Sequence, residues 1–417
     1  MKKSMILKVC SIILVMVMCL LTFTGCNGTT GTSSVEDNSS LNSRPDTSSD
    51  TTSSDTSSDV TSTDNISSGD GESTSVPDKI IVESTVTTTQ TIPFDASKNP
   101  LQRGVNFSGL ENEGQEFGYD SWIFQGKYYD LLRERGFDHV RVPINFFQYM
   151  GEAPDYTINE EFLRKIDIIV NLALSAGLKI VLDAHHFAGD LQVNVRGNEP
   201  RYYKMWEQLA VHYQNYPSGV VFELINEPGN ASQISPGGPD VVTTDKILRI
   251  QENAIKIIRK TNPTRIIVHA TRWNNGAAQL MDTEPLLPDD KNIIMSVHSY
   301  EPMPFTHQGM DWDNDGIPTY PGNVDFTEEM HYEIELVFKL IKDYQEKYGR
   351  PVWIGEFGVL KSKAPAEAIT KYSDFLVKTM KDAKCGWCWW EFNGGFGIYN
   401  TEVDKWVNEA AMDALMQ

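Results

Sequence analysis

The chain has 417 residues and a formal net charge of −21, from 57 acidic and 36 basic side chains. An acidic surface of this size argues against nucleic acid as a partner, because phosphate binding requires clustered Lys and Arg. Three of the five cysteines lie within the first 26 residues, which excludes a disulfide framework in the rest of the chain.

Residues 1–26 have the pattern of an export signal. A cationic start, MKKSMILK, precedes an apolar run from Val9 to about Phe23, which is too short for a membrane span. The segment that ends in Gly25-Cys26 resembles a bacterial lipoprotein box, although Phe23 is unusual at its position. The resemblance implies a lipid on Cys26 and a membrane-anchored protein on the bacterial cell surface. The alternative is an ordinary cleaved signal peptide and a fully secreted protein.

Residues 27–93 form a polar segment that is rich in Ser, Thr and Asp and contains repeated SSDTSSD-like units. It carries eleven acidic side chains against Arg44 and Lys79. So few large apolar residues cannot bury a core that offsets the loss of chain entropy. The composition predicts a disordered linker, which would hold the rest of the chain away from the membrane.

Residues 94–417 alternate short β-branched segments with amphipathic ones, which is typical of a parallel sheet with crossover helices. Strands are predicted at 104–107, 139–142, 179–183, 220–225, 265–269, 293–298, 352–355 and 386–390. Helices are predicted at 122–135, 160–176, 199–214, 244–260, 274–282, 327–348, 366–382 and 403–415. Eight such units predict one α/β domain, a closed (β/α)8 TIM barrel. An open dinucleotide-binding sheet is not supported, because no G-x-G-x-x-G follows the first strand.

In this type of barrel, the C-terminal ends of the strands carry the chemistry. The residues predicted at those ends are polar, ionisable or aromatic: Arg141, Asp183, His185, His186, Asn226, Glu227, His298, Tyr300, Glu356 and Trp390.

Two of these residues, Glu227 and Glu356, end the fourth and seventh strands and could flank one bond. Glycoside hydrolysis uses such a carboxyl pair, and a direct covalent mechanism requires a separation of about 5–5.5 Å. The alternative is a pair of buried structural carboxylates that are neutralised by Arg. Glu223 is interpreted in that structural way.

The sequences around the two glutamates support the first interpretation. Phe222-Glu-Leu-Ile-Asn226-Glu227-Pro228 and Trp353-Ile-Gly355-Glu356-Phe357-Gly358 resemble the two signatures of glycoside hydrolase family 5, the cellulase family. The resemblance covers roughly residues 95–415. It implies a retaining enzyme without a cofactor, in which Glu227 is the acid/base and Glu356 is the nucleophile.

The resemblance also implies roles for neighbouring residues. Arg141 and the Tyr300 hydroxyl would support the nucleophile, and His298 belongs to the same strand-six pair as Tyr300. Asn226 would bind the 2-hydroxyl of the reacting sugar. The remaining residues would line the sugar site: His185, His186 and Trp390.

One loop makes the resemblance more specific, because it points to a subgroup of the family. The segment from Glu301 to Trp312 is similar to a loop of a bacterial family 5 subgroup that acts on glucan and sometimes on mannan, so His307 and Trp312 would line the cleft. Glu111 stands where the family has a sugar contact, but the sequence before it departs from the family pattern.

Three motifs allow other interpretations. His185, His186 and His298 could bind zinc, although adjacent residues at a strand end should face opposite ways. Cys385 and Cys388 have C-x-x-C spacing but are expected to be core thiols on opposite faces of a strand. The segment 311–316 imitates the start of a calcium loop, yet Gly322 stands where a bidentate Glu is needed.

The sequence therefore predicts a monomeric endo-β-1,4-glucanase that hydrolyses β-linked plant polysaccharide, with no metal and no cofactor. A preference for mannan, glucomannan or xyloglucan stays open, as does transglycosylation on the same barrel. A surface lipoprotein that only binds glycans is the alternative from another class, and it predicts that one of the two carboxylates would be missing.

Overall fold

The computed structural model describes residues 99–417, apart from residues 113, 115–116, 187–194, 230–243, 286, 288 and 312–315. The predicted signal peptide and lipobox at 1–26, with Cys26, lie outside the described residues. The predicted linker at 27–93 and Trp312 lie outside them as well.

Eight parallel strands close into a barrel in chain order, and the last strand pairs with the first. The predicted (β/α)8 barrel is confirmed, and each strand lies within a few residues of its predicted place. The strands are β1 Arg103–Asn106, β2 His139–Ile144, β3 Lys179–Ala184, β4 Val220–Glu223, β5 Ile267–Ala270, β6 Ile293–His298, β7 Val352–Phe357 and β8 Gly386–Trp389.

Helices connect and surround the strands, as the sequence pattern predicts. Asn159 caps one of them, α2, by accepting a hydrogen bond from Phe162 N, and α2 buries Ile166, Ile169 and Val170 against the barrel. The helices are α1 Gly126–Arg135, α2 Glu160–Ser175, α3 Val195–His212, α4 Thr244–Arg259, α5 Arg272–Asn275, α6 Met303–Thr306, α7 His331–Tyr348, α8 Ala366–Asp382 and α9 Glu409–Met416.

Three helix predictions were wrong in detail. The predicted helix 122–135 is a 3-10 helix at Trp122–Phe124 followed by α1, because Gln125 between them is extended. The predicted helix 274–282 is the short helix α5 followed by a 3-10 helix at Ala277–Asp282, because Gly276 between them is extended. The predicted helix 403–415 begins only at Glu409, where the Asn408 side chain accepts from Ala411 N. Before it, strands β9 Tyr399–Asn400 and β10 Lys405–Trp406 form an antiparallel hairpin.

Side chains alternate between the two faces of the barrel wall, which follows from the period of a strand. Inside the lower barrel lies a small apolar cluster that includes Val181, Val221, Val268, Trp353 and Cys388. Towards the C-terminal ends of the strands, the next inward positions are polar. The barrel interior therefore changes from an apolar core to a polar mouth.

The outward positions pack against the helices and form the larger hydrophobic core. Cys385 belongs to this outer core, whereas Cys388 lies inside the barrel, and both thiols are free and buried. The expectation of core thiols on opposite faces is thus confirmed. Within the described part of the chain, no helix combines the length and apolarity that crossing a membrane requires.

Candidate active site

The Arg141 guanidinium lies at the centre of the polar mouth. It is fully buried on β2 and faces three carboxylates from three other strands. Nε donates to Glu223 over 2.6 Å, Nη1 donates to Glu356 over 2.7 Å, and Nη2 lies 2.9 Å from Asp183. One cation therefore binds three acidic groups that have almost no access to water.

Burial and the excess of acidic groups change the protonation of this cluster. Burial raises the pKa of Asp183 to about 7 and that of Glu223 to about 6, although Arg141 opposes both shifts. Burial acts to lower the pKa of Arg141, but the carboxylates raise it well above its ordinary value. The guanidinium therefore stays charged, and Asp183 and Glu223 take up protons at a higher pH than exposed carboxyls do.

Glu356 lies on β7, is only 5% exposed and has a donor for each carboxylate oxygen. Arg141 Nη1 donates to Oε1, and the Tyr300 hydroxyl donates to Oε2 over 3.0 Å. Burial and the nearby carboxylates raise the pKa of Tyr300 well above its ordinary value, so its hydroxyl keeps its proton and remains a donor. The two contacts hold the Glu356 carboxylate from both of its oxygens.

Steric crowding explains why Gly355 and Gly358, which flank the Glu356-Phe357 pair, are glycines. A Cβ on Gly355 would lie 2.7 Å from Ser296 Oγ and 3.1 Å from His298 Nε2. A Cβ on Gly358 would lie 2.2 Å from the carbonyl oxygen of Trp390. The Gly-Glu-Phe-Gly segment therefore lets β7 approach both neighbouring strands at the level of the carboxylate.

Glu227 follows β4 with a positive φ of 39°, and one third of its side chain is exposed. His298 Nδ1 lies 2.8 Å from Glu227 Oε1. Burial raises the pKa of Glu227, while His185, Arg141 and His186 act in the opposite direction. The Glu227 side chain is more exposed than that of Glu356, and its raised pKa favours the protonated form.

The two glutamates lie close together. One carboxylate oxygen of Glu227, one of Glu356 and a ring nitrogen of His298 all lie within 4.8 Å of one another. A retaining glycosidase needs about 5–5.5 Å between its carboxyl groups, whereas an inverting one needs about 6.5–9.5 Å. The observed separation fits direct attack by one carboxylate.

His298 links the two carboxylates on the β6 side. Its Nδ1 lies 3.6 Å from Glu356 Oε2 as well as near Glu227, and its Nε2 lies 3.3 Å from the Asn275 amide nitrogen. Burial lowers the pKa of His298 to about 4, although Glu356 acts to raise it. The imidazole is therefore neutral at neutral pH.

On the β3 side, a ring of hydrogen bonds fixes Asn226. Asp183 contacts His185 Nδ1 at 2.6 Å, and the Asn226 amide nitrogen lies 3.4 Å from His185 Nε2. Arg141 Nη2 donates to the Asn226 oxygen over 2.8 Å, which closes the ring. The His185 ring also stacks on Trp390, with centroids 5.9 Å apart, and Trp390 is only half-buried at the mouth.

His186 does not point away from His185, so that expectation was wrong. The two rings lie 4.6 Å apart, because the positive φ of 57° at His186 ends the alternation of the strand. Among the described residues, these two rings and His298 do not form a group with metal-ligand spacing. The group with such spacing there is Glu227, His298 and Glu356.

Glu111 lies in a second acidic cluster, after β1. It is 5% exposed and accepts from the backbone nitrogen of Gly109. Burial raises its pKa to about 7, and the charges of Glu391 and Glu356 act in the same direction. Glu391 follows β8 and accepts from the Ser108 hydroxyl.

The burial of Glu111 predicts a pH dependence of stability. Its pKa is higher in the folded chain than the ordinary 4.5, so the folded state binds more protons. Its stabilising contribution is present below about pH 4.5 and is lost as the pH rises through about 7, a change of up to about 3 kcal/mol in the free energy of unfolding. Glu111→Gln should remove this loss, measured by urea unfolding at pH 5 and pH 8.

The exposed Glu329 offers a matched control for that experiment, since Glu329→Gln removes the same charge at the surface. The difference between pH 5 and pH 8 should stay as in the unsubstituted protein. If Glu111→Gln also left the difference between pH 5 and pH 8 unchanged, the buried Glu111 carboxyl would not be the cause of the pH dependence.

His307 lies beside Tyr300 and Phe396, with ring centroids 5.0 Å and 5.3 Å away. Burial lowers its pKa to about 4, so it too is neutral at neutral pH. Asp313 and Asp315 of the calcium-like segment lie outside the described residues. Asp311 accepts from the backbone nitrogen of Gly316.

Sequence reasoning missed three residues of the mouth. Asn106 receives a hydrogen bond from Arg141 Nη1 over 2.8 Å, and its position at the end of the first predicted strand could have indicated it. Asn275 and Glu391 follow other strands at their C-terminal ends, but no motif surrounds Asn275. Glu391 directly follows Trp390, and the strand pattern gave no reason to single it out.

A family model described as "Cellulase (glycosyl hydrolase family 5)" matches residues 94–395. Endoglucanase H of Acetivibrio thermocellus is 28% identical over 277 residues, which is 66% of this chain and 28% of that protein. Cellodextrinase A of Ruminococcus flavefaciens is 33% identical over 240 residues, which is 55% of this chain and 67% of that protein. The chain thus spans less than a third of endoglucanase H.

Among solved structures, Thermotoga maritima Cel5A in complex with mannotriose is similar to the chain. It has a TM-score of 0.69 and 30% identity, covering 78% of this chain and 100% of that one. The structure of the same protein in complex with cellobiose has a TM-score of 0.68 and 30% identity, covering 76% and 98%.

Proposed function

Since this chain belongs to glycosyl hydrolase family 5, the cellulase family, we propose that it is a retaining endo-β-1,4-glucanase with Glu356 as nucleophile and Glu227 as acid/base. The observation that carries the proposal is that one oxygen of Glu227 lies within 4.8 Å of one oxygen of Glu356. That distance leaves room for one bond to the sugar but not for a water molecule between carboxylate and sugar.

In the first step, a Glu356 oxygen forms a bond to the anomeric carbon while the bond from that carbon to the leaving oxygen breaks. Glu227 gives its proton to that oxygen. In the second step, water attacks the same carbon, Glu227 takes the proton from the water, and the bond to Glu356 breaks. Two inversions give net retention at the anomeric carbon.

The surroundings of the two carboxyls suit these different tasks. Arg141 and Tyr300 each donate to one oxygen of Glu356 and so fix the position of the proposed nucleophile. The raised pKa of Glu227 favours the protonated form needed for the first step. The two carboxyls thus have different contacts: Glu356 accepts from a guanidinium and a hydroxyl, whereas Glu227 lies beside the His298 imidazole.

We assign the sugar contacts by the same reasoning. The Asn226 amide, held by Arg141 and His185, would bind the 2-hydroxyl of the reacting sugar, and the half-buried Trp390 ring would stack on its face. The other proposed contacts around the cleft are Glu111, His186, His298, His307 and Trp312.

The proposal is tested by hydrolysis of carboxymethylcellulose, mixed-linkage β-glucan, mannan and xyloglucan, with reducing ends and viscosity measured together. We expect the β-1,4-glucans to be cut fastest, with viscosity falling early because cuts are internal. Proton NMR of the first product should show the β-anomer. An α-anomer would refute retention, and faster release from mannan would make the chain a mannanase on the same site.

We also propose that the chain is exported and anchored through a lipid on Cys26, with residues 27–93 as the tether for a catalytic domain at 94–417. The proposal rests on the lipobox-like sequence and the Ser/Thr/Asp-rich composition. Cys26→Ala should release the protein from a membrane fraction into the soluble one. We propose that the enzyme acts as a monomer, which size-exclusion chromatography with light scattering would test.

A further inference from the structure

Asn275 has an unusual place in the mouth for a residue without a family signature. It is the last residue of α5, its side chain is fully buried, and its φ is +52°. Its amide nitrogen lies 3.3 Å from His298 Nε2, while its amide oxygen is buried and has no hydrogen-bond partner. A buried amide with one unpaired atom is costly, so its single contact needs an explanation.

The contact fixes which nitrogen of His298 carries the proton. A neutral imidazole has one N–H and one acceptor nitrogen. With the amide nitrogen facing Nε2, as in this structure, the NH₂ donates, Nε2 accepts and the proton lies on Nδ1. The other ring nitrogen agrees, because a lone pair on Nδ1 would face Glu356 Oε2, itself an acceptor from Tyr300, at 3.6 Å.

The tautomer matters for the proton on Glu227. When His298 Nδ1–H donates to Glu227 Oε1, the acidic proton of Glu227 resides on Oε2 and can be transferred. In the other tautomer, Nδ1 would accept that proton in a hydrogen bond and hold it away from the leaving oxygen. The rate of proton donation therefore depends on the group that contacts His298 Nε2.

We propose that Asn275 is a positioning residue for the acid/base step, because its amide holds the His298 proton on Nδ1 and so leaves the proton of Glu227 free for the leaving oxygen. This inference rests on the proposed function. The simpler explanation is that Asn275 is present only because Asn tolerates a positive φ.

Two substitutions separate these explanations. Asn275→Gly keeps a residue that adopts a positive φ freely but removes the amide. Asn275→Asp keeps the shape of the side chain but replaces the donor by an acceptor, which favours the proton on Nε2. Lys384→Gly is the control, since Lys384 also has a φ of +52° but is exposed and precedes β8 at the opposite end of the barrel.

The readout is kcat/KM for aryl β-cellobiosides of increasing leaving-group pKa, together with cellotetraose. For cellotetraose and for aryl glycosides with poor leaving groups, kcat/KM of both Asn275 variants should fall by about 10-fold to 100-fold. This loss is a part of the roughly 10²–10⁴-fold that a positioned general acid contributes. For the 2,4-dinitrophenyl glycoside, which leaves without a proton, kcat/KM should stay within about twofold. Lys384→Gly should match the unsubstituted enzyme on every substrate.

Equal losses on good and poor leaving groups would refute the inference, as would full activity of Asn275→Gly on cellotetraose. Thermal unfolding of each variant distinguishes a folding defect from a catalytic one, because a smaller folded fraction lowers the rates on all substrates by the same factor. If the unsubstituted enzyme hydrolyses none of these substrates, the proposed function fails instead.

Discussion

Replacing Glu356 by Ala should reduce hydrolysis of β-glucan by about 10⁴-fold or more, the order of loss seen when a covalent enzyme loses its nucleophile. Asp183 and Glu223 cannot take its place, because both are fully buried and bound to Arg141. The loss should fall on kcat and kcat/KM alike. Initial rates of reducing-end release from mixed-linkage β-glucan measure it.

Azide distinguishes the loss of a nucleophile from general damage. In Glu356→Ala, the anion should occupy the space of the missing carboxylate, attack an activated cellobioside and give an α-glycosyl azide. Glu223→Gln is the matched control, since it alters another carboxylate bound to Arg141 and should not respond to azide. A β-glycosyl azide from Glu356→Ala, or no rescue together with near-normal activity, would contradict the assignment of the nucleophile.

The barrel could be predicted because each of its units repeats the same local signals. Eight apolar β-branched segments such as Ile293–His298 alternate with amphipathic segments such as Glu160–Ser175, and only a few closed or open folds accept that order. The carboxylate pair could be predicted as well, because Glu227 and Glu356 each end a strand within a distinctive signature.

The parts that failed depend on contacts between distant segments or on single backbone torsions. The hairpin of Tyr399–Asn400 with Lys405–Trp406 is held by a turn around Asp404, to which Lys127 and Tyr128 donate from α1. A positive φ at His186 or Asn275 has no counterpart in hydrophobic periodicity. Sequence patterns therefore locate the strands and the signatures, but not the side chains that orient the signature residues.

Arg141→Met should destabilise the folded protein by about 3–5 kcal/mol, the usual cost of removing one partner of a buried ion pair. Methionine fills much of the same volume, so the loss reports charge rather than a cavity. Asp183, Glu223 and Glu356 would remain buried without their cation. Urea unfolding at pH 8 measures the loss, and activity should fall as well, because the support of Glu356 is gone.

The loss should depend on pH, with a sign that follows from proton uptake. Without Arg141, which lowers the pKa of Asp183 and Glu223, these carboxyls would have even higher pKa values in the folded state than about 7 and about 6. The folded variant would then bind more protons than the unfolded chain, so its stability is retained at low pH and lost as the pH rises through those values. The variant should therefore differ more from the unsubstituted protein at pH 8 than at pH 5.

Arg265 allows a matched control, because it is also buried but bonds to neutral oxygens. Its guanidinium donates to the backbone oxygens of Tyr213, Pro217 and Val220 and to the Asn262 side chain. Arg265→Met should also cost several kcal/mol, but by the same amount at pH 5 and pH 8, since it leaves no buried carboxylate behind. Equal pH dependence in both variants would mean that the carboxylates around Arg141 do not take up protons, and that its role at the mouth is packing rather than charge.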